Sequence, residues 1–230
     1  MKALAVAHRG YHKEYYENTL EAFIEAGKRD YYGIETDVHL TKDNIFVTCH
    51  NNYIVSNGKP YLIKDLYYKD IIEMPLDNNQ GHKNAHVCVY YDYLKVCKDY
   101  HKRPIIEIKK SPKIKYLKEL CEYIDNYLGI ENVTIIAFSQ RVIFSLKRLY
   151  KDRLDLQLLI DKKMYLVNVA IMHNVGIDVN FVSLRKEHID NMHSHNLQVN
   201  AWTVDDYDEL KRLDECGIDY ITSNIFDQNS

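Results

Sequence analysis

Two acidic side chains one residue apart, Glu35 and Asp37, end a short apolar stretch, and the sequence "IIEIK" at 105–109 repeats the spacing with Glu107 and Lys109. Successive side chains of a strand alternate between its faces, so each pair should project side by side. Clustered carboxylates repel one another and raise their pKa values unless a cation joins them. Because oxygen ligands suit a hard divalent ion, the pattern predicts a site for Mg2+ or Ca2+.

Basic and imidazole side chains accompany these acids. His8 and Arg9 follow the first apolar run of the chain, and His50 follows a second run that comes after Asp37. A guanidinium and the Lys109 ammonium beside a metal ion favour a phosphate ligand, and two imidazoles can serve as acid and base near neutral pH. Taken singly, each residue has a structural explanation, such as a solvated carboxylate or an ion pair. Their joint occurrence after several apolar runs favours a catalytic site.

The elements that would position these residues are short runs rich in Val, Ile and Leu, each followed by a segment of helical character. Continuous apolar runs are typical of parallel strands covered on both faces. We therefore predict a closed, parallel (β/α)8 TIM barrel forming a single domain over residues 1–230, with the polar residues at the C-terminal strand ends where barrel active sites lie. The alternative is an open doubly wound sheet, although no G-x-G-x-x-G follows the first run. The eight runs are 3–7, 33–38, 104–109, 133–138, 154–160, 177–181, 197–204 and 218–222.

Two segments depart from this simple alternation. Residues 44–90 are too irregular for one helix, which predicts a strand extension and a short rim excursion after the second strand. The chain ends at Ser230, soon after the eighth run, so the last outer helix should be short or missing. The flank left uncovered in this way suggests a homodimer.

Composition limits the classes of protein that fit. The 230 residues are 46% hydrophobic and 27% charged, which suits a globular protein with a full core. A net charge of -3 with interspersed signs offers no basic surface for nucleic acid. The five scattered cysteines lack C-x-x-C spacing and predict reduced thiols. The apolar run before His8 is too short for a signal peptide or a membrane span, so we expect a cytoplasmic protein.

An ordered set of motifs resembles the glycerophosphodiester phosphodiesterase family over nearly the whole chain. Taken together, these motifs are much more specific than any one of them. They are "AHRG" at 7–10, "ENTLEAFIEAG" at 17–27, "GIETDVHLTKDNIFVTCHN" at 33–51, "IIEIK" at 105–109, "IIAFSQ" at 135–140, "VNAWTVD" at 199–205 and "GIDYITSN" at 217–224.

The resemblance implies a barrel that uses a divalent cation, Mg2+ or Ca2+, to hydrolyse glycerophosphodiesters to glycerol 3-phosphate and an alcohol. In the family, the glycerol 2-hydroxyl is the expected nucleophile, and water opens the cyclic phosphate that results. The implied roles are metal binding by Glu35, Asp37 and Glu107, phosphate binding by Arg9 and Lys109, acid and base catalysis by His8 and His50 in an unassigned order, orientation of Arg9 or His8 by Glu17, and packing against the glycerol moiety by Trp202.

The sequence also departs from the family pattern at several positions. Tyr16 stands where many relatives have Pro, Asn44 replaces a turn glycine, and Asn51 replaces the acid that usually follows the second histidine. The ending "ITSN" replaces a more usual "ITD" with Pro beyond. Asparagine tolerates left-handed turns, so Asn44 should be harmless. The loss of a charge at Asn51 is expected to lower the pKa of His50.

Two other functions remain open from the residues. One is a related phosphodiesterase acting on lysophospholipids or other alkyl phosphodiesters, which an open, apolar rim would favour. The other is a non-catalytic barrel that binds phosphorylated ligands, although a binding module needs no acid and base beside a metal. The sequence does not distinguish lipid turnover from scavenging of phosphate and glycerol.

Overall fold

The computed structural model describes residues 1–77 and 85–230. In chain order the strands and helices are β1 (Leu4–Ala7), α1 (Leu20–Gly27), β2 (Gly33–Leu40), β3 (Phe46–Thr48), β4 (Tyr53–Ser56), β5 (Lys59–Leu62), α2 (Tyr68–Ile71), β6 (Cys88–Val89), α3 (Tyr90–Asp99), β7 (Arg103–Ile108), α4 (Ile114–Leu128), β8 (Thr134–Ala137), α5 (Gln140–Tyr150), β9 (Asp155–Ile160), α6 (Leu166–Met172), β10 (Gly176–Asn180), α7 (Lys186–Ser194), β11 (Val199–Trp202), α8 (Tyr207–Glu215) and β12 (Tyr220–Ser223).

Eight of these strands form a closed parallel barrel in the order β1, β12, β11, β10, β9, β8, β7, β2, and β1 closes the sheet by pairing with β2. Each barrel strand contains part of a predicted apolar run. The (β/α)8 fold is therefore confirmed, and the open doubly wound alternative is wrong. In the parallel pair of β2 and β7, Asp37 lies opposite Glu107, which brings the two acidic motifs together.

The barrel strands carry apolar side chains on both faces because they separate two cores. A large core fills the space between the barrel and its helices, and includes Phe23 of α1 and Tyr93 of α3. A smaller cluster, here called the inner plug, fills the barrel interior. It consists of Val6, Ile105, Ile136, Leu159 and Tyr220. Residues two apart on one strand share a face, so Ile105 in the plug is followed by Glu107 above it.

The predicted rim excursion after the second strand is present. Strand β3 runs antiparallel to β2, β6 pairs with β3, and β4 and β5 form a separate hairpin. Asn44 lies in the turn between β2 and β3 with a φ of 65°, which agrees with the expectation that asparagine substitutes for glycine there. Part of the predicted excursion, residues 78–84, lies outside the described residues.

Residues 224–230, which follow β12, contain no helix, in agreement with the prediction of a short or missing last helix. Instead, Gln228 lies against β1: its Oε1 accepts a hydrogen bond from the Ala5 amide at 3.0 Å, and its Nε2 donates to the Ala3 carbonyl at 2.9 Å. A side-chain amide thus satisfies backbone groups of β1. The extent of the single domain, residues 1–230, stays a prediction. In the part of the chain that is described, no helix is both long and apolar enough to cross a membrane.

Candidate active site

The C-terminal ends of the barrel strands surround a cavity of about 300 Å³. Most of the sequence-predicted site residues line it, although they come from five different strands or loops. They are His8, Arg9, Glu35, His50, Glu107, Lys109 and Trp202. Of the two others, Asp37 is buried between Arg9 and Lys109, and Glu17 lies beside Arg9. The structure therefore brings together all the residues singled out from the sequence.

Glu35, Asp37 and Glu107 form a compact buried cluster in which the nearest carboxylate oxygens all lie within 4.8 Å of one another. Burial, together with the charge of Asp37, raises the pKa of Glu35 well above its usual value. The same two causes raise the pKa of Glu107 to about 7. A cation would stabilise the ionised form of these two acids, because its charge offsets both the cost of burial and the repulsion between carboxylates. The donor set fits a hard divalent ion.

Asp37 differs from its two acidic neighbours because its side chain forms ion pairs with two cations. Lys109 Nζ lies 2.8 Å from Asp37 Oδ1 and 2.9 Å from Glu107 Oε2, and Arg9 Nε lies 3.3 Å from Asp37 Oδ2. Burial by itself would raise the pKa of Asp37, but Lys109 and Arg9 outweigh it and lower that pKa to about 2. Asp37 is thus the constant negative charge of the cluster.

Arg9 is held from both its backbone and its side chain. Its amide donates to Glu35 Oε2 at 3.0 Å, in a left-handed backbone conformation with a φ of 55°. Its Nη1 donates to both carboxylate oxygens of Glu17, at 2.9 and 3.0 Å. Charge-assisted bonds of this kind fix a guanidinium firmly. Glu17 therefore positions Arg9, whereas the structure gives it no hydrogen bond to His8 in the described part of the chain.

The two predicted histidines enter the cavity from different loops. His8 is partly buried, and burial followed by the charge of Arg9 lowers its pKa to about 4. His50 is about half buried, and burial followed by Arg9 lowers its pKa. The expected lowering is therefore present, but its main causes are burial and Arg9, not the missing charge at Asn51. His50 also lines a second cavity of about 410 Å³, beside Tyr16.

An apolar wall completes the site opposite the charged residues. Trp202 donates from its indole Nε1 to the carbonyl of Asp178 at 3.1 Å, which fixes its ring. The exposed Phe138 meets that ring edge-on, with the two centroids 5.8 Å apart. Such a wall can hold the carbon skeleton of a ligand while the charged side binds its anionic group.

Asn18 is a site residue that the sequence reasoning missed. Its Nδ2 donates to Asp37 Oδ2 at 2.9 Å, and its Oδ1 accepts from Thr36 Oγ1 at 2.7 Å. The buried amide thus aims the Asp37 carboxylate into the cluster. Its signal was its position in the quoted "ENT" motif directly after Glu17, where only the glutamate received a role.

Asn224 was likewise noted only as part of the departure "ITSN". Its Oδ1 lies 2.7 Å from His8 Nδ1 and also 2.7 Å from His12 Nε2. No local pattern could predict this contact because Asn224 follows the last strand and His8 the first. The closed barrel makes those two strands neighbours.

Asp178 is a buried carboxyl that the sequence reasoning also missed, since it stood within an apolar run. Its side chain faces the cavity from β10, and its Oδ1 has no hydrogen-bond partner among residues 1–77 and 85–230. Burial, with a further contribution from Glu107, raises its pKa well above the usual value. The Asp178 carboxyl therefore ionises less readily than an exposed aspartate.

This burial predicts a pH-dependent stability difference between the wild type and Asp178→Asn. A raised folded-state pKa contributes stability below the unfolded pKa and loses it as pH rises toward the folded pKa. The variant should therefore gain on the wild type by up to about 1.4 kcal/mol per pH unit above roughly pH 4. Denaturant unfolding of both proteins with EDTA at several pH values from 5 to 8 measures this gap. Parallel stability profiles would show that Asp178 ionises normally.

Comparisons with known proteins agree with this geometry. The profile of the glycerophosphoryl diester phosphodiesterase family matches residues 8–228. A glycerophosphodiester phosphodiesterase of Caldanaerobacter subterraneus subsp. tengcongensis is 28% identical over 236 residues, covering 97% of this chain and 95% of the relative.

Two solved structures have the same fold. A glycerophosphodiester phosphodiesterase from Parabacteroides distasonis has a TM-score of 0.79 and 24% identity, covering 97% of this chain and 93% of its own. An Oleispira antarctica phosphodiesterase, solved in complex with the product sn-glycerol-3-phosphate, has a TM-score of 0.82 and 17% identity, covering 96% and 92%. Since the family profile spans nearly the whole sequence, this chain belongs to the glycerophosphoryl diester phosphodiesterase family and is a phosphoric diester hydrolase.

Proposed function

We propose that this protein hydrolyses glycerophosphodiesters to sn-glycerol 3-phosphate and an alcohol, with a divalent cation and with His8 and His50 as acid and base. The observation that carries the proposal is the convergence of both imidazoles with the Glu35, Asp37 and Glu107 cluster on one cavity. The product named in the Oleispira antarctica complex, sn-glycerol-3-phosphate, supports the same substrate class.

Glu35, Asp37 and Glu107 would hold the cation, either Mg2+ or Ca2+. When bound, the ion supplies Lewis acidity at a phosphoryl oxygen, an effect worth several kcal/mol in metal-assisted hydrolysis. The raised pKa values of Glu35 and Glu107 support this assignment, because those two acids need a cation in order to ionise together.

The protein's own cations act on the phosphate. Arg9 and Lys109 both line the cavity, and each is already paired with Asp37. A phosphodiester carries one negative charge, and attack at phosphorus increases the charge on its nonbridging oxygens. Two fixed cations at this position therefore stabilise the transition state more than the ground state.

The remaining groups orient the substrate and transfer protons. Trp202 and Phe138 provide the surface for the glycerol carbons. One histidine accepts the proton of the attacking hydroxyl, and the other donates a proton to the departing alkoxide. Each such transfer contributes about 10²–10⁴-fold to the rate of an enzymatic reaction.

The first test is release of glycerol 3-phosphate from glycerophosphocholine and glycerophosphoethanolamine. Metal-stripped protein should be inactive, and Mg2+ or Ca2+ should restore product. Glu35→Ala is expected to lower the restored rate by roughly 10²–10³-fold, because a cation ligand is lost. Glu119→Ala, at an exposed position of α4, is the matched control and should keep wild-type activity. Equal rates with and without metal would refute the proposed cation dependence.

A second substrate class is favoured by a specific observation. Exposed apolar side chains follow five successive barrel strands at the end where the cavity opens. They are Phe138, Tyr165, Val182, Tyr207 and Ile225. Such a rim could contact the acyl chain of a lysophospholipid. Hydrolysis of lysophosphatidylcholine without hydrolysis of glycerophosphocholine would establish this alternative.

We infer that the protein acts in the cytoplasm on small diffusible diesters, has no nucleic-acid partner and forms a homodimer. Sedimentation of the purified protein measures the oligomeric state directly.

A further inference from the structure

The contacts of Asn224 define a short relay from an exposed carboxylate to the His8 ring. Asp205 Oδ2 accepts a hydrogen bond from Asn224 Nδ2 at 2.5 Å, and Asp205 Oδ1 accepts from the backbone amide of Asn224 at 2.8 Å. Ser223 Oγ donates to the same Oδ1 at 3.0 Å. On the other side, Asn224 Oδ1 lies 2.7 Å from His8 Nδ1 and 2.7 Å from His12 Nε2.

The chemistry of these groups fixes the orientation of the Asn224 amide. A carboxylate only accepts hydrogen bonds, so the group of Asn224 that faces Asp205 has to be its NH2. The oxygen of Asn224 then faces the two imidazoles and can only accept. The acceptor at Asn224 Oδ1 requires a donor opposite it, so His8 must carry its hydrogen on Nδ1. The reversed amide would place its oxygen against the Asp205 carboxylate, and two acceptors would then face each other.

The tautomer of His8 follows from this orientation. With the hydrogen on Nδ1, the neutral ring leaves a lone pair on Nε2. That nitrogen has no hydrogen-bond partner within residues 1–77 and 85–230, and His8 lines the cavity. An imidazole with a free lone pair facing the substrate can accept a proton but cannot donate one.

We propose that Asn224, oriented by Asp205, is a positioning residue that holds His8 in the Nδ1–H tautomer and so makes His8 the general base. The inference rests on the proposed function. Nε2 of His8 takes the proton of the attacking hydroxyl while that oxygen bonds to phosphorus. The bond from phosphorus to the leaving alkoxide breaks, and His50 supplies the proton to that alkoxide. The resulting imidazolium of His8 keeps its Nδ1–H bond to Asn224 Oδ1.

The relay can be reversed by one substitution. In Asp205→Asn, the side-chain oxygen has to stay with the backbone amide of Asn224, which can only donate. The new NH2 group at residue 205 then faces the side-chain amide of Asn224. Because an NH2 group donates, the Asn224 side chain turns so that its oxygen accepts from residue 205. The NH2 of Asn224 now points at His8, so Nδ1 has to accept and the hydrogen moves to Nε2. The general base is lost although no residue in the cavity has changed.

The double variant Asp205→Asn/Asn224→Asp should restore the original arrangement. One oxygen of the new carboxylate accepts from the amide at 205, and the other accepts from His8 Nδ1–H. We expect kcat for glycerophosphocholine to fall about 10²-fold or more in Asp205→Asn, with KM changed less than threefold. The double variant should recover kcat to within tenfold of the wild type. Asp208→Asn, at an exposed position in the first turn of α8, is the control.

Ring 15N NMR of histidine-labelled protein reads the tautomer without any turnover. The His8 signals should show Nδ1–H in the wild type and in the double variant, and Nε2–H in Asp205→Asn. An unchanged His8 tautomer in Asp205→Asn, or a changed tautomer with wild-type kcat, would overturn the proposal. If the wild type hydrolyses no glycerophosphodiester, the proposed function fails, while the spectra still decide the role of Asn224 in orienting His8.

Discussion

His50→Ala is expected to lower kcat for glycerophosphocholine by roughly 10²–10⁴-fold, which is the usual contribution of general acid catalysis. If His8 is the base, His50 is left as the acid that protonates the departing alkoxide. Its position supports this role, since His50 lines both the phosphate cavity and the second cavity beside Tyr16, where a leaving alcohol can lie. Circular dichroism should show an unchanged fold, because the ring is only half buried.

The identity of the leaving group separates the two histidines. A glyceryl p-nitrophenyl phosphodiester releases a weakly basic phenolate that needs no proton to depart. His50→Ala should therefore hydrolyse this diester at a rate within about tenfold of the wild type, whereas His8→Ala should be slow with both substrates. His195→Ala, at the exposed end of α7, is a control for the loss of an imidazole. If His50→Ala is equally slow with both diesters, His50 is not the acid.

Asp37→Asn is expected to have the second large effect. It should lower kcat/KM by about 10³-fold and weaken Mg2+ binding at least tenfold, because the carboxylate of the cluster that ionises most readily is lost. It also leaves Lys109 and Arg9 without the anion that pairs with both. Breaking a buried ion pair in this way should cost about 3–5 kcal/mol of the free energy of unfolding.

Asp155→Asn is the matched control for that loss of stability. Asp155 is also a barrel carboxylate, but it lies at the start of β9 and pairs with Arg103 at the opposite end of the barrel. Removing it should reduce stability while leaving turnover and metal binding near wild-type values. Equilibrium dialysis and denaturant unfolding of both variants make the comparison. Wild-type metal affinity in Asp37→Asn would remove Asp37 from the cation site.

The barrel could be predicted because its strands carry a strong local signal. In runs such as residues 104–109, isoleucines lie on both faces of the strand, as a strand between two cores requires. The carboxylate pairs were predictable for a related reason. The two-residue period of a strand places Glu35 beside Asp37, and strand-end positions in a barrel converge.

The polar residues that orient the site were not predictable in this way. Asn18 and Asn224 act through contacts with residues distant in sequence, and a single asparagine in a loop has no period or spacing that marks it. Asp178 was hidden inside an apolar run. The structure also answers a question that spacing left open. Lys109 bridges Asp37 and Glu107, so the ion pair that could explain this residue structurally is present, and phosphate binding by the same side chain stays a proposal.

The inner plug determines the route by which substrate enters and products leave the active site. Its side chains, including the buried Val6, Ile105 and Leu159, fill the barrel beneath the acidic cluster. The cavity is therefore closed beneath the acidic cluster by apolar side chains. A diester arriving from solvent and the two molecules that it yields must all pass the same ring of loops. Product release and substrate binding therefore use the same opening. Substitutions in those loops should change the rates of both steps without disturbing the inner plug.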